Sequence, residues 1–256
     1  MSEAHDAKGV PDVHIVVPVY NEAENFAAFY DSLRKNVRAP YRLVVVYDFE
    51  EDTTLPVARR LAADDPSLLL LRNPRRGVLS AIVTGLRYPE RGAVVVSMAD
   101  LSDDHRQIDD MIALYRSGCA LVAASRYSKG GRQLGGPPVK RLLSRAAGFS
   151  LHWVGGIPTY DPTNNFKLYS KELIDAVEIE STGGFEVALE LTVKARRLGL
   201  QIGEVGTTWT DRVAGTSNFK LMKWLPSYLR WYGAALRWRL AQLVGAGAPA
   251  VRGRGA

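Results

Sequence analysis

Short apolar runs alternate with amphipathic stretches along most of the chain, beginning at Val13. The runs are brief and rich in β-branched residues, which predicts strands at Val13–Pro18, Leu43–Tyr47, Leu68–Leu71, Ala93–Met98 and Ala120–Ala124. The stretches between them predict helices at Glu22–Lys35, Thr54–Ala63, Val78–Leu86 and Arg106–Ser117. Such regular alternation is typical of an α/β fold, with a mainly parallel sheet flanked by helices.

The second half of the chain is less regular. After a Gly- and Pro-rich loop, the pattern predicts two helices, a strand and a long amphipathic helical segment. The loop is Gly130–Pro138, the helices are Val139–Val154 and Phe185–Leu198, the strand is Gln201–Trp209, and the segment covers about 219–244.

Carboxylates follow the apolar run of the fourth predicted strand without an intervening turn residue. In open α/β sheets, ligands bind outside the carboxyl ends of the strands, which favours a functional role for Asp100. Asp103 and Asp104 have two interpretations, as site residues or as caps of the next helix. The other strand ends carry Tyr20, Asp48 and the Ser125–Tyr127 run, so we expect one continuous cleft for a polar ligand.

Composition narrows the class of protein. The 256 residues carry a net charge of +6, and their single cysteine, Cys119, has no intramolecular disulfide partner. The polar N-terminus lacks the apolar centre of a signal peptide, and no apolar stretch is long enough for a membrane span. We therefore expect a cytoplasmic protein, peripheral on the cytosolic face of a membrane. No nucleic-acid-binding module is recognisable, so we expect no nucleic-acid partner.

Several motifs occur in an order that resembles a known family. They are P-V-Y-N-E from Pro18, A-D-L from Ala99, S-R-Y-S-K-G-G from Ser125, D-P-T-N-N-F-K from Asp161 and T-D-R-V-A-G-T-S-N-F-K from Thr210. Together they are similar to the family 2 inverting glycosyltransferases of GT-A fold, and most of all to the polyprenyl-phosphate (dolichol-phosphate) mannosyltransferase group. The resemblance implies a hexosyltransferase with a nucleotide-sugar donor and a polyprenyl-phosphate acceptor.

The resemblance also implies roles for individual residues. Pro18, Tyr20, Glu22 and Asp48 would bind the nucleotide-sugar together with Asp100, which would hold a divalent metal, Mg²⁺ or Mn²⁺. Arg126 and Arg212 would hold phosphates at the catalytic centre, and Glu190 matches a carboxylate on a catalytic helix. The acceptor phosphate would lie among Arg126, Lys140, Arg141 and Ser217.

The chain departs from the family pattern at its acidic motif. Met98 stands where the family has its first acid, and Ser102 stands where it has Gln. Divalent cations of this type prefer hard oxygen ligands to a thioether, so we expect weak metal binding. Two alternative functions stay open: transfer to a sugar or lipid hydroxyl, and a degenerate nucleotide-sugar-binding protein without transferase activity.

The C-terminal region suggests how the acceptor is reached. Trp224, Trp231 and Trp238 recur every seven residues, each preceded by a cation, and no Asp or Glu follows Lys220. Tryptophans beside cations suit an anionic membrane surface, although a helix packed on the domain has the same spacing. We divide the chain into a flexible N-terminus (1–12), a catalytic domain (13–218), a membrane-associating helical segment (219–244) and a flexible basic tail (245–256).

Overall fold

The protein, described as a computed structural model, is built around one seven-stranded sheet, and the structure describes residues 12–211 and 221–245. The strands are β1 (Val13–Pro18), β2 (Arg42–Tyr47), β3 (Leu68–Arg72), β4 (Ala93–Val96), β5 (Leu121–Ser125), β6 (Arg132–Leu134), β7 (Lys167–Ser170), β8 (Ile202–Gly206) and β9 (Thr208–Thr210). Their order in the sheet is β3-β2-β1-β4-β7-β5-β8, and β6 pairs with β9 in a separate ribbon. The predicted α/β class is confirmed.

Helices cover both faces of this sheet. They are α1 (Ala23–Asn36), α2 (Thr54–Asp64), α3 (Val78–Arg87), α4 (Ile108–Arg116), α5 (Pro138–Trp153), α6 (Lys171–Ala176), α7 (Val187–Arg197) and α8 (Leu221–Leu243), with a 3₁₀ turn at His105–Gln107 before α4. In α1, Phe26, Phe29 and Leu33 fall on one helix face and are fully buried against the sheet. In α3, a Cβ on Gly85 would lie 2.2 Å from Val16 Cγ1, so only glycine lets this helix pack so closely on β1.

The sequence pattern missed the strand β7. It lies between β4 and β5 and runs antiparallel to both, whereas the other pairs in the sheet are parallel. The strand has only four residues and begins with Lys167, a charged residue that is fully buried. A short run opening on a cation does not resemble a central strand in the sequence, since buried lysines are rare.

Two predicted strands end earlier than their apolar pattern suggests. The Met98 N–H donates to the Asp103 carboxylate at 3.0 Å, so β4 ends at Val96 rather than at Met98. The predicted strand Gln201–Trp209 divides at Thr207, whose N–H donates to the Ser125 carbonyl at 2.9 Å. Both interruptions occur at the carboxyl edge of the sheet and bring polar groups into it.

The tryptophan stripe of α8 faces inward. Trp224, Trp231 and Trp238 are only 9%, 4% and 3% exposed. Trp231 packs against Leu189 and Val193 of α7 in an apolar cluster that also includes Leu151 of α5. The prediction that these tryptophans lie at a membrane surface is therefore wrong, because helical spacing identifies a stripe without indicating which side is covered.

Within the described ranges, no helix is both long enough and apolar enough to cross a bilayer. Pro226 lies inside α8 and not in a flanking loop. Cys119 is buried as a small core residue, as predicted.

Candidate active site at the carboxyl edge of the sheet

The ends of β1 and β2 are joined by a buried carboxylate. Asp52 is 1% exposed and accepts from the Asn21 N–H at 3.1 Å and from the Thr54 N–H at 2.8 Å. Asn21 has φ of 55°, a left-handed conformation that asparagine tolerates better than most residues, and its side chain accepts from the Thr53 N–H. Asn21 and Asp52 thus shape the loops of the site by capping and cross-linking them.

Asp48, at the end of β2, is held between β3 and α3. Its two oxygens accept from the Asn73 amide at 2.7 Å and from the Gly77 N–H at 2.8 Å. Asn73 is buried and accepts from the hydroxyls of Ser80 and Thr84. Gly77 has φ of 112°, a left-handed conformation that a side chain would strain. The network fixes the Asp48 carboxylate at the wall of a cleft.

That cleft has a volume of about 630 Å³ and lies beside the ends of β2 and β3. The ring of Phe49 meets Tyr20 edge to face at a centroid distance of 5.6 Å, and the Arg76 guanidinium lies 5.5 Å from its centroid. Tyr20 is 57% exposed. An open cleft with aromatic faces, cations and carboxylates is suited to a planar polar ligand such as a nucleobase. Its lining residues are Asp48, Phe49, Glu50, Glu51, Arg72, Asn73, Pro74 and Arg76.

The loop after β4 carries the acidic motif. Asp100 is buried and accepts from the Ser102 N–H at 3.1 Å. Between them, Leu101 has φ of 60°, which is uncommon for a branched apolar residue and marks a strained turn. The Ser102 carbonyl accepts from the Thr210 N–H at 3.1 Å, so β9 supports the strained turn from outside.

Asp103 and Asp104, whose two interpretations were left open, differ in the structure. Asp104 caps the following 3₁₀ turn by accepting from the Arg106 N–H, and it also pairs with the Arg106 side chain. Asp103 is buried and accepts from the Ser97 hydroxyl at 3.1 Å. Burial, followed by the negative charge of Asp100, raises the pKa of Asp103 to about 7.

The end of β5 carries a buried ion pair. The Arg126 guanidinium donates to both oxygens of Asp161, from Nε at 2.7 Å and from an Nη at 2.9 Å. Burial opposes both charges, but the bidentate pairing outweighs it, raising the pKa of Arg126 and lowering the pKa of Asp161. Two nitrogens of the Arg126 guanidinium, Nε and one Nη, therefore point inward to Asp161. We had expected this guanidinium to hold substrate phosphate instead.

A second buried cation supports the same loop. Lys167 Nζ donates to the Asp161 carbonyl at 3.2 Å and to the Asn164 carbonyl. Burial lowers the pKa of Lys167 to about 7, against the favourable charge of Asp161. Glu204 of β8 holds the other side of the loop by accepting from the Thr159 hydroxyl at 2.5 Å. The loop from 157 to 166 is fixed by three elements of the sheet.

The carboxylate of Glu190 is buried and hydrogen-bonded by the protein itself. It is fully buried, and its oxygens accept from the Glu180 and Ser181 N–H groups at 2.6 and 2.8 Å. The Ser181 hydroxyl and the Lys194 ammonium add two further hydrogen bonds. A carboxylate with four protein donors positions the 180–184 loop, and this geometry favours that role over the catalytic role we expected.

The remaining predicted residues are dispersed around this edge. Pro18 is buried within β1, and Glu22 accepts from the Asn25 amide at 2.8 Å. Lys140 is partly exposed and Arg141 is exposed in the first turn of α5. Arg212 and Ser217 lie outside the described residues.

The structure adds residues that the sequence analysis did not assign. Asp161 was quoted only as part of a motif, yet it is the partner of Arg126. Burial raises the pKa of Tyr228 in α8, and the charges of Glu186, Arg126 and Asp161 also act on that pKa. Tyr228 therefore belongs to the surroundings of this ion pair. Asp161 could have been found from its motif, but nothing local to Tyr228 in the sequence indicates this contact.

Comparison with known proteins identifies a family match. The model of "Glycosyl transferase family 2" matches residues 14–177. A dolichol-phosphate mannosyltransferase of Pyrococcus furiosus is 28% identical over 88% of this chain and 64% of its own length. An undecaprenyl-phosphate mannosyltransferase of Micrococcus luteus is 30% identical over 87% of this chain and 94% of its own. The chain therefore spans less than two thirds of the first relative and nearly all of the second.

Solved structures share the architecture at lower identity. Glucosyl-3-phosphoglycerate synthase from Mycobacterium tuberculosis, in complex with Mn²⁺, UDP-glucose and phosphoglyceric acid, superposes with a TM-score of 0.61 at 20% identity. The superposition covers 94% of this chain and 81% of the synthase. Its complex with uridine diphosphate superposes with a TM-score of 0.59, also at 20% identity, over 94% of this chain and 82% of the synthase. At this identity the likeness supports the fold.

Proposed function

Since the chain belongs to glycosyl transferase family 2, we propose that it transfers a hexose from a nucleotide-sugar to a polyprenyl phosphate, with inversion. One observation carries the proposal: the single stretch Thr207–Thr210 bonds both to the end of β5 and to the turn after β4. The Thr207 N–H donates to the Ser125 carbonyl at 2.9 Å and the Thr210 N–H donates to the Ser102 carbonyl at 3.1 Å, so Arg126 and Asp100 lie on loops that meet at one edge. Acids and a guanidinium at one edge suit a reaction in which a diphosphate leaves and a phosphate attacks. The names of the two mannosyltransferase relatives support the same acceptor class.

The donor's nucleoside occupies the cleft beside β2 and β3 in this proposal. Phe49, held between Tyr20 and Arg76, offers an aromatic face to the base. Asp48 is placed to accept from a base or ribose, in competition with Asn73 and Gly77. Pro18 and Glu22 support the site from β1 and the start of α1. The diphosphate then points along the sheet edge towards Asp100.

A divalent cation fits this site only with help from the donor. In the part of the chain that the structure describes, no group of three or more His, Cys, Asp or Glu is arranged to hold one. Asp100 offers a hard carboxylate, whereas Met98 offers a thioether. We assign Asp100 as the protein ligand of a weakly held Mg²⁺ or Mn²⁺, with diphosphate oxygens as further ligands. When bound, the cation would stabilise the negative charge of the leaving group.

The acceptor phosphate approaches from the side of β5 and α5. Because the charge of Arg126 is largely balanced by Asp161, the outer cations Lys140 and Arg141 supply much of the attraction for an anion. Arg212 and Ser217 are proposed as further phosphate contacts. Arg126 keeps a positioning role, with its ion pair fixing the edge against which the phosphate docks.

The chemistry requires no general base. A phosphate oxygen of the acceptor attacks the anomeric carbon from the face opposite the diphosphate, and the new C–O bond forms as the old one breaks. The electron pair of the breaking bond leaves with the diphosphate, so no proton moves. This economy agrees with Glu190, whose lone pairs are already engaged by protein donors.

We also propose a place in the cell and a division of the chain. A polyprenyl phosphate keeps its chain in a bilayer, so the catalytic domain, 13–218, is peripheral on the cytosolic face. Within the segment 219–244, helix α8 packs on that domain through Trp231, so we propose that the segment reaches the membrane together with the domain. No nucleic acid takes part.

The test is a transfer assay with a panel of nucleotide-sugars and three acceptor classes: a polyprenyl phosphate, the matching polyprenol, and water. We expect a glycosyl-phosphoryl lipid by mass spectrometry with the phosphate alone. Asp100→Ala should lower transfer by roughly 10²–10³-fold, the range for removing one electrostatic contact to a developing charge. Asp104→Ala, which removes a helix cap and an ion pair with the exposed Arg106 side chain, is the matched control.

Each other outcome is informative. Transfer to the polyprenol at an equal rate would replace the phosphate acceptor by a hydroxyl. Donor binding without transfer or hydrolysis would leave a nucleotide-sugar-binding protein. Full activity in Asp100→Ala would remove Asp100 from the donor site.

A further inference from the structure

The outer side of α5 exposes large apolar residues in a row. Val139, Leu142 and Trp153 are 64%, 68% and 72% exposed, and Leu143 is 49% exposed. Their spacing of three, four and fourteen residues from Val139 places them on one face of the helix. Gly148 and Leu151 lie on the opposite face and are buried. The helix therefore has two apolar sides, of which the protein covers one.

Helix α8 lies beside α5 and exposes apolar residues of its own. Its tryptophans face inward, and Leu240 and Leu243 on the other side are 60% and 67% exposed. The two helices are neighbours, since the Tyr232 hydroxyl donates to the Ser150 hydroxyl at 2.9 Å. We call this surface the α5–α8 outer face, which comprises Val139, Leu142, Leu143, Trp153, Leu240 and Leu243.

The charged residues that belong to these two helices have one sign. Neither α5 nor α8 contains an Asp or Glu, while α5 carries Lys140, Arg141 and Arg145 and α8 carries Lys223, Arg230, Arg237 and Arg239. Arg230 pairs with Glu180 of the neighbouring loop, but Arg145 and Arg237 are exposed. An apolar surface on two helices whose own charged residues are all cations is complementary to an anionic lipid headgroup layer over hydrocarbon.

The covered side of α5, opposite this face, packs on the candidate site. The Tyr127 hydroxyl, beside Arg126 at the end of β5, lies 2.5 Å from the Ser144 hydroxyl of α5. Gly148 of α5 packs on the Tyr160 carbonyl, where a Cβ would lie 2.0 Å away, so the helix is anchored to the loop of Asp161. Whatever covers the outer face is therefore separated from the candidate site by the width of helix α5, about 10 Å.

We propose that the α5–α8 outer face is the surface by which the protein docks on an anionic lipid bilayer. Leu142, Leu143 and Trp153 enter the headgroup boundary, and the flanking arginines contact lipid phosphates. The inference rests on the proposed function for its biological sense, and it assigns the membrane contact to leucines rather than to the buried tryptophans. Such an exposed apolar face is unusual for a protein that makes no further contact.

The test is flotation of the full chain with vesicles of phosphatidylcholine alone or mixed with phosphatidylglycerol. We expect binding to the mixed vesicles and at least about tenfold weaker binding to the neutral ones. Leu142→Glu combined with Leu143→Glu should weaken binding by about tenfold or more. Leu198→Glu, at an exposed leucine on α7's end, is the matched control and should bind as the native chain does.

The charges are tested separately. Arg145→Gln with Arg237→Gln removes two cations of the face and should weaken binding roughly 25-fold, about fivefold for each. Arg60→Gln with Arg91→Gln removes two exposed cations elsewhere and should have little effect. Circular dichroism shows that each variant is folded, and Trp153→Ser at the far end of α5 replaces the leucine pair if that pair fails to fold.

Several results would overturn the inference. Native binding by the folded leucine variant, or no binding by the native chain, would remove the face as a lipid surface. A change of oligomeric state by light scattering, with unchanged flotation, would show that a second copy covers the face. The proposed function fails independently: absence of transfer to a short, water-soluble polyprenyl phosphate, with flotation still lost in the leucine variant, would refute the transferase and support the docking surface.

Discussion

The two halves of the candidate site hold their carboxylates by different means. On the donor side, Asp48 and Asp103 accept from neutral groups, namely an amide, a hydroxyl and backbone N–H groups. On the acceptor side, Asp161 lies against the buried cations Arg126 and Lys167. The carboxylates of Asp48 and Asp103 are therefore held by neutral donors, whereas the carboxylate of Asp161 is balanced by buried cations. One edge of a sheet can thus hold carboxylates by neutral hydrogen bonds in one half and by ion pairing in the other.

The largest expected effect is on the free energy of unfolding, when one carboxylate on the acceptor side and one on the donor side are neutralised in separate variants. Asp161→Asn leaves Arg126 and Lys167 buried without a counter-ion, which should lower the free energy of unfolding by about 3–5 kcal/mol. Asp48→Asn keeps the shape and loses one hydrogen bond to a neutral donor, so about 1 kcal/mol is expected. Urea denaturation measures both. Equal losses would mean that the two sides do not differ.

A second effect concerns the proton on Asp103. The pKa of Asp103 is about 7 in the folded protein and about 4 in the unfolded chain. Between these pH values the folded protein keeps a proton on Asp103 that the unfolded chain has released. Stability contributed by this group is therefore full at low pH and is lost as the pH rises through 7. Between about pH 5 and 8, the native protein should lose about 3 kcal/mol relative to Asp103→Asn.

The control for this experiment is Asp104→Asn. Hydrogen bonds and charge from Arg106 outweigh burial and lower the pKa of Asp104, so its contribution changes only below pH 4. Relative to the native protein, its unfolding free energy should stay constant from about pH 5 to 8. A parallel pH dependence of native protein and Asp103→Asn would show that Asp103 is ionised throughout.

The smallest expected effect is on the KM for the nucleotide-sugar and concerns the donor side alone. Phe49→Ala removes the aromatic face between Tyr20 and Arg76, and the KM for the nucleotide-sugar should rise about two- to tenfold, as expected for one aromatic contact. Trp153→Ala removes an exposed ring on the acceptor side and should leave that KM unchanged. Steady-state kinetics with a water-soluble acceptor make the comparison. An unchanged KM in Phe49→Ala would show that the donor does not bind in this cleft.

The sequence alone predicted the features that depend on residues close together along the chain. The apolar runs of β1 to β5 and the helices α1 to α3 lie close to their predicted positions, since periodicity is a local property. The same holds for Asp48, which directly follows β2, and for Asp100, which lies in the loop after β4. The family motifs likewise identified the glycosyltransferase family that the comparisons found.

Only the tertiary structure decided the partners of these groups. Arg126 and Asp161 are 35 residues apart, and β7 enters the sheet against the direction of its neighbours, so no local pattern contains either fact. Glu190 is occupied by a loop, and the tryptophans of α8 turn towards α7. A helical repeat specifies which side chains share a face. Only the packing of α8 against α5 and α7 determines that its tryptophans are covered, while Leu229, Leu240 and Leu243 are exposed.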